Sequence, residues 1–184
     1  MRKSVFVVLA AAALAFTFAC NKSPTTPTNP VPDFHGTWSG FYHVDTCTAT
    51  FVNDDWCPNA LGATAPITLT LTQSGSSVSG TLALSTVTGN ITGTVSSSGT
   101  LAISGTLSAT GGHFTISAWS STMSANNMTG TFTFTVFEDG VAGSATNGCT
   151  LTAVTRSQSV KADLQPGVTT STPADLLSAI GIRK

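Results

Sequence analysis

The residues of this 184-residue chain whose types can do chemistry are four cysteines, three histidines, a few carboxylates and three tryptophans. Cys20 stands near the start, Cys47 and Cys57 lie ten residues apart, and Cys149 is far downstream. Thiols this scattered suit disulfides in an oxidising compartment, whereas a zinc centre needs ligands in closely spaced pairs. The loop between Cys47 and Cys57 is short and costs little to close, so that pair is the expected bond. Cys149 bonded to either one is the alternative, and left free and buried it would act as a small hydrophobe. His35, His43 and His113 show no ligand spacing, so neither a metal nor a cofactor is expected. Asp33, Asp45, Asp54, Asp55, Glu138 and Asp139 are the only charged residues between positions 23 and 155. Carboxylates can flank a glycosidic bond or surround Ca²⁺. Here they fall on connections and lack EF-hand spacing, and they read more plainly as solvated turn residues that keep a charge-poor chain soluble. With no nucleophile-elbow sequence and no Ser-x-x-Lys, no catalytic residue is assigned. A stretch without Lys or Arg from 23 to 155 offers phosphates nothing, which excludes nucleic acid as a partner.

The elements that must position these residues are strands. Ser and Thr make up about 30% of the chain and alternate with aliphatics, as in Ile67, Leu69 and Leu71 against Thr68, Thr70 and Thr72. Such period-2 segments have one buried face and one wet face. Eight are expected, near 36–44, 66–73, 77–84, 88–95, 99–107, 112–119, 128–137 and 141–156. The connections, among them Ser74-Gly75, Asn126-Asn127 and Asp139-Gly140, suit hairpins and are too short for helical crossovers. Eight sequential antiparallel strands with one apolar face close into an up-and-down barrel, which removes the exposed edges. A two-sheet sandwich of the same strands is the alternative. Gly40, Gly80, Gly93, Gly105 and Gly130 fall at inward positions, where they permit the tight coiling of a small barrel.

At the two ends of this span, Gly36-Thr37-Trp38 opens the first strand and Arg156 follows the last. In this the chain resembles the calycin superfamily of lipocalin- and avidin-like barrels. The resemblance implies that Gly36, Trp38 and Arg156 form a closed base with the Arg stacked on the indole, and that residues 45–65 act as a lid over the opposite mouth. The inward residues Trp38, Tyr42, Leu69, Leu82, Ile103, Phe114, Phe132 and Phe134 make a charge-free lumen, and a ligand held there would be apolar or aromatic. Tyr42, Phe114, Phe132, Phe134 and Trp56 are the candidate lining. Strict alternation places Trp119 on the wet face or in a turn and Trp56 in the lid; either can stack on a sugar or apolar ligand, and Trp56 alternatively pins the lid.

Outside the barrel span, Arg2 and Lys3 precede an apolar run, Val5 to Phe18, that ends at Ala19-Cys20. As a helix the run reaches about 21 Å, short of the ~30 Å hydrocarbon core, so a signal peptide over 1–19 is expected. Residues 20–32 form a Pro/Thr tether. Residues 1–32 resemble a bacterial lipoprotein precursor, which implies lipidation of Cys20 and anchoring in the cell envelope, at the outer membrane or the cell surface. Ordinary cleavage after Ala19, giving a secreted or periplasmic protein, is the alternative. The tail, 157–184, carries a helix signal over 173–180, with Thr172 as cap and Pro173 at the first position. Its deletion is expected to leave the barrel nearly as stable. Acids are expected at the mouth, and Lys22, Arg156, Lys161, Arg183 and Lys184 at the base, facing the membrane. The functional expectation is an exported, lipid-anchored, non-enzymatic barrel (33–156) that binds a small apolar or aromatic molecule or a surface partner. A structural or interaction protein with a side-chain-filled barrel is the alternative, and a hydrolase a distant third.

Overall fold

The computed structural model describes residues 30–51, 55–157, 177, 179 and 180. Eight strands follow in order: β1 (Gly36–Ala49), β2 (Thr64–Ser74), β3 (Ser77–Leu84), β4 (Val87–Val95), β5 (Leu101–Ala109), β6 (Gly112–Ser124), β7 (Asn127–Glu138) and β8 (Ala145–Ser157). One short helix, α1 (Trp56–Ala60), lies between β1 and β2. Each strand pairs antiparallel with its sequence neighbours, and β8 returns to β1 from Trp38↔Arg156 to Ala49↔Ala145. The barrel is therefore closed and up-and-down, and the sandwich does not form.

Closure follows from the alternation. In β2 the buried Ile67, Leu69 and Leu71 point inward, while Thr70 and Thr72 are exposed. Ser79, Thr81, Thr92, Thr94, Ser104 and Thr106 continue this hydroxyl wall across β3, β4 and β5. Apolar inside and polar outside is the inverse of a membrane-spanning barrel, whose outer band is apolar. Between Trp56 and Phe137 the chain has no Asp, Glu, Lys or Arg at all. The coiling depends on inward glycines: a Cβ at Gly80 would come within 1.9 Å of the Thr70 carbonyl oxygen.

Strict alternation is broken at a register shift in β1 between Val44 and Thr46, after which Cys47 and Ala49 take the partly buried parity, and at two bulges with left-handed backbone, of which the one in β6 corrects the sequence reading. Ala118 (φ 48°) in β6 and Ala153 (φ 51°) in β8 take left-handed backbone, each beside a register shift. A bulge inserts one residue and flips the side-chain parity beyond it. After Ala118, Trp119 turns inward and is 3% exposed, not on the wet face. After Ala153, Val154 is buried and Arg156 shares its inward parity. The register also runs on further than expected in β1 and β6, while β8 begins at Ala145 and not at 141.

The tail is the second correction. Leu177 and Ala179 are helical, and Leu177 and Ile180 are buried within the same apolar cluster as the barrel interior. Leu177 and Ile180 are thus part of the core, and deletion of 157–184 is expected to lower stability and not to leave it nearly unchanged. Ile180 sits at the mouth and not at the base. Lys22, Lys161, Arg183 and Lys184 lie outside the described residues, as do Cys20, the signal segment and most of 20–32.

Candidate ligand site at the barrel mouth

The two ends of the barrel are closed by different means. At the base, Gly36 (φ 122°) takes a conformation that favours glycine and carries the chain past the Arg156 side chain into β1. Trp38 is fully buried, its Nε1 donates to the Phe34 carbonyl at 2.9 Å, and its ring lies 6.1 Å from that of Phe34. The Arg156 guanidinium stands 4.6 Å from the Trp38 ring centroid, a cation–π contact. Its Nη2 donates to the Asp33 carbonyl and reaches the Met123 sulfur at 3.2 Å. Gln73 seals this end: its Oε1 accepts from the Phe34 amide at 2.8 Å and its Nε2 donates to the Pro32 carbonyl at 2.9 Å. Phe34, Gln73 and Met123 were not singled out from sequence. Met123 reaches Arg156 only because of the Ala118 bulge.

Above this plug the lumen is occupied by an aromatic column. Trp119 stacks on Phe132 at 4.8 Å, and Phe132 meets Tyr42 at 5.7 Å. Tyr42 packs edge-on against Phe134 at 6.2 Å, Phe134 meets Phe114 at 5.9 Å, and Phe114 meets Trp56 of the lid at 6.3 Å. All five expected lining residues are therefore brought together, joined by Trp119, which lies inside the barrel and not on the wet face. Two side chains, Ser121 and Asn147, are the buried polar ones among the described residues, and each serves an indole. Ser121 Oγ accepts from Trp119 Nε1 at 2.9 Å, and Asn147 Oδ1 accepts from Trp56 Nε1 at 3.2 Å. Pairing both indole N–H groups spares the interior their desolvation cost.

The mouth is capped in two halves. Over β6 and β8 lies α1, pinned by Trp56 and tied to β1 by the Cys47–Cys57 disulfide. Cys149 is free and buried. Burial foremost, and then Asp45, pushes the Cys149 thiol up, while burial foremost, and then Cys149, raises the Tyr42 phenol, so both stay neutral. Over β1 and the β3–β4 turn lies the tail. Tyr42 Oη donates to the Ile180 carbonyl at 3.3 Å, and the Thr86 amide and hydroxyl both donate to the Ala179 carbonyl, at 3.0 and 2.8 Å. The disulfide closes a loop of ten residues, for which chain entropy gives about 3 kcal/mol. A Cys47→Ser/Cys57→Ser double variant is expected to lose about that much in urea unfolding, with the barrel strands retained in its far-ultraviolet spectrum.

The acids are less unified than their sequence positions suggest. Asp45 lies on the outer face of β1, where it accepts from Thr150 Oγ1 at 2.7 Å and stands 3.9 Å from His43. Asp54 lies outside the described residues, and Asp33 belongs to the base. Glu138, at the end of β7, is the acid that feels a neighbour: burial foremost and then the Asp55 charge hold its carboxyl above its ordinary range. A raised folded-state value means that the native state keeps its proton longer than the unfolded chain does. Stability from this group is therefore highest below the unfolded value of about 4.3 and falls as pH rises through the folded value. Glu138→Gln is expected to raise the melting temperature at neutral pH and to flatten that decline, as a melting series against pH will show. Among the described residues no group of three or more His, Cys, Asp or Glu is placed to hold a metal ion.

Fold and site together define a closed eight-stranded up-and-down barrel with a cation-sealed base and a doubly capped apolar mouth. No family model, curated protein or solved structure matches the chain.

Proposed function

We propose that this chain is an exported, lipid-anchored, non-enzymatic barrel of calycin-like type that binds a small apolar or aromatic molecule, or a surface partner, at its mouth. The observation that carries this reading is the asymmetry of the ends. The base is sealed by the barrel's own strands, entry segment and Arg156. The mouth is closed by two pieces separate from the sheet, α1 and the tail residues Leu177 and Ile180. Under them lie Tyr42, Phe114, Phe132 and Phe134, with Trp56 reaching in from α1 itself, and there is no charge among the five. Ligand sites are mostly apolar with a few placed polar groups, and here those groups are the Tyr42 hydroxyl and Thr86. A Pro/Thr tether after Cys20 supports presentation of the barrel away from a membrane. A disulfide within the lid supports an oxidising compartment.

A second reading, a structural barrel filled by its own side chains, is favoured by the continuous aromatic column from Trp119 to Trp56. Titration of the full chain with a graded series of neutral apolar and aromatic molecules separates the two. A saturable change in tryptophan emission, weakened by Tyr42→Phe, supports the mouth as a site. Strictly non-saturable behaviour across the series supports the filled barrel.

A further inference from the structure

The tail makes contacts of a particular chemistry. Leu177 and Ile180 are three residues apart, Leu177 and Ala179 are helical, and Leu177 and Ile180 are buried, so together they present one turn of an apolar helix end. The last carbonyls of a helix have no partner within it and must find donors elsewhere. At this mouth they find three: the Tyr42 hydroxyl for Ile180, and the amide and hydroxyl of Thr86 for Ala179. Leu177 and Ile180 themselves belong to the apolar cluster of the barrel interior, with Ala179 packed against it. Residues 158–176 join Ser157, at the base end of β8, to Leu177. Fully extended, such a length can span about 65 Å, more than the ~43 Å that a strand of β8's length covers, so it is long enough for the connection from base to mouth. Tethering of this kind supplies an effective concentration on the order of mM. The contact can then be filled at equilibrium without high intrinsic affinity, and a competing segment of better fit can displace it.

The geometry points to the mouth as a receptor for the C-terminal turn of an apolar helix, filled in the free protein by residues 177–180 and open to a partner's helix end of the same chemistry. This rests on the reading of the mouth as the functional face and names the class of its occupant. Two side chains of Leu or Ile type three residues apart enter the apolar opening, and two consecutive carbonyls engage Thr86 and Tyr42. The tail is then a built-in competitor that sets a threshold for binding.

The test uses the full chain carrying Leu177→Asp and Ile180→Asp, which makes the tail too polar to dock. The probe is a fluorescein-labelled synthetic peptide with the sequence of residues 172–184, read by fluorescence anisotropy, with Nile red as a second probe. Removing an internal competitor raises apparent affinity by the inverse of the free fraction, so peptide binding about tenfold tighter than to the wild-type chain is expected. Adding Tyr42→Phe to the variant is expected to reverse much of that gain. A folded variant that takes up Nile red but binds the peptide no better than wild type overturns the helix-end receptor and leaves the apolar site standing. A folded variant that binds neither probe overturns both. If the variant does not fold, hydrogen exchange at the Thr86 amide in the wild-type chain decides. Exchange much faster than in the barrel ladder supports a displaceable tail, and protection equal to the ladder overturns the proposal.

Discussion

Phe132→Ala is expected to cost the barrel about 3–5 kcal/mol in urea unfolding, a large part of the about 5–15 kcal/mol that holds a typical domain together. Phe132 is 1% exposed and sits at the hub of the aromatic column, against Trp119, Tyr42 and Phe134 at 4.8, 5.7 and 6.3 Å. Its backbone lies in β7 opposite Cys149 of β8, beside the closing seam, where the wall has little freedom to collapse into a void. The loss is thus both transfer free energy and a cavity. Phe41→Ala is the control: on the outer wall at 49% exposure, it is expected to change stability by about 0.5 kcal/mol or less. A Phe132→Ala cost below about 1.5 kcal/mol would mean that the ring borders open space and not a packed column.

The second large effect is all-or-none. Cys20→Ser is expected to abolish incorporation of a clickable fatty acid and to release the protein from the membrane fraction. Among the described residues no helix is long and apolar enough to cross a bilayer, and Ser and Thr cover the outer face of β2 to β5. A variant that still takes up label would place the lipid elsewhere. A wild-type chain that takes up none would assign the segment to ordinary cleavage after Ala19.

The architecture was legible because one face of every strand is apolar and the other carries Thr or Ser, so eight alternating runs with short turns leave little besides closure. The Cys47–Cys57 bond was legible from separation alone. What misled was parity. Strict alternation carried past Ile116 puts Ala118 inside and Trp119 outside, and the structure reverses this with a bulge at an alanine, a residue with no turn signature of its own. The trace left in the sequence is an apolar spacing of three within a strand, Ile116 to Trp119 and again Leu151 to Val154. The second of these spacings also brings Arg156 round to Trp38.

At the site, the aromatic lining followed from inward parity. Its caps did not. Asn147 lies among alternating Thr and Gly residues, and only the position of α1 makes it the acceptor for Trp56. Leu177 and Ile180 were recognisable as one side of a helix, but their destination depends on a contact spanning 138 residues of sequence, from Tyr42 to Ile180, which no local pattern encodes. That contact also puts Ile180 at the mouth and not at the base. The acids likewise divided by face: Asp45 belongs to the outer wall of β1, while Glu138, at the end of β7, feels the Asp55 charge.

The central claim, that the capped mouth serves a bound molecule, is tested most directly by a native mass spectrum of the full-length protein purified without denaturation from its own host. A population heavier than the lipid-modified polypeptide by the mass of an apolar compound or peptide is expected, lost on collisional activation and diminished in Tyr42→Phe. A spectrum showing only the bare modified chain, in preparations gentle enough to keep the Cys47–Cys57 bond and the folded charge state, would contradict it.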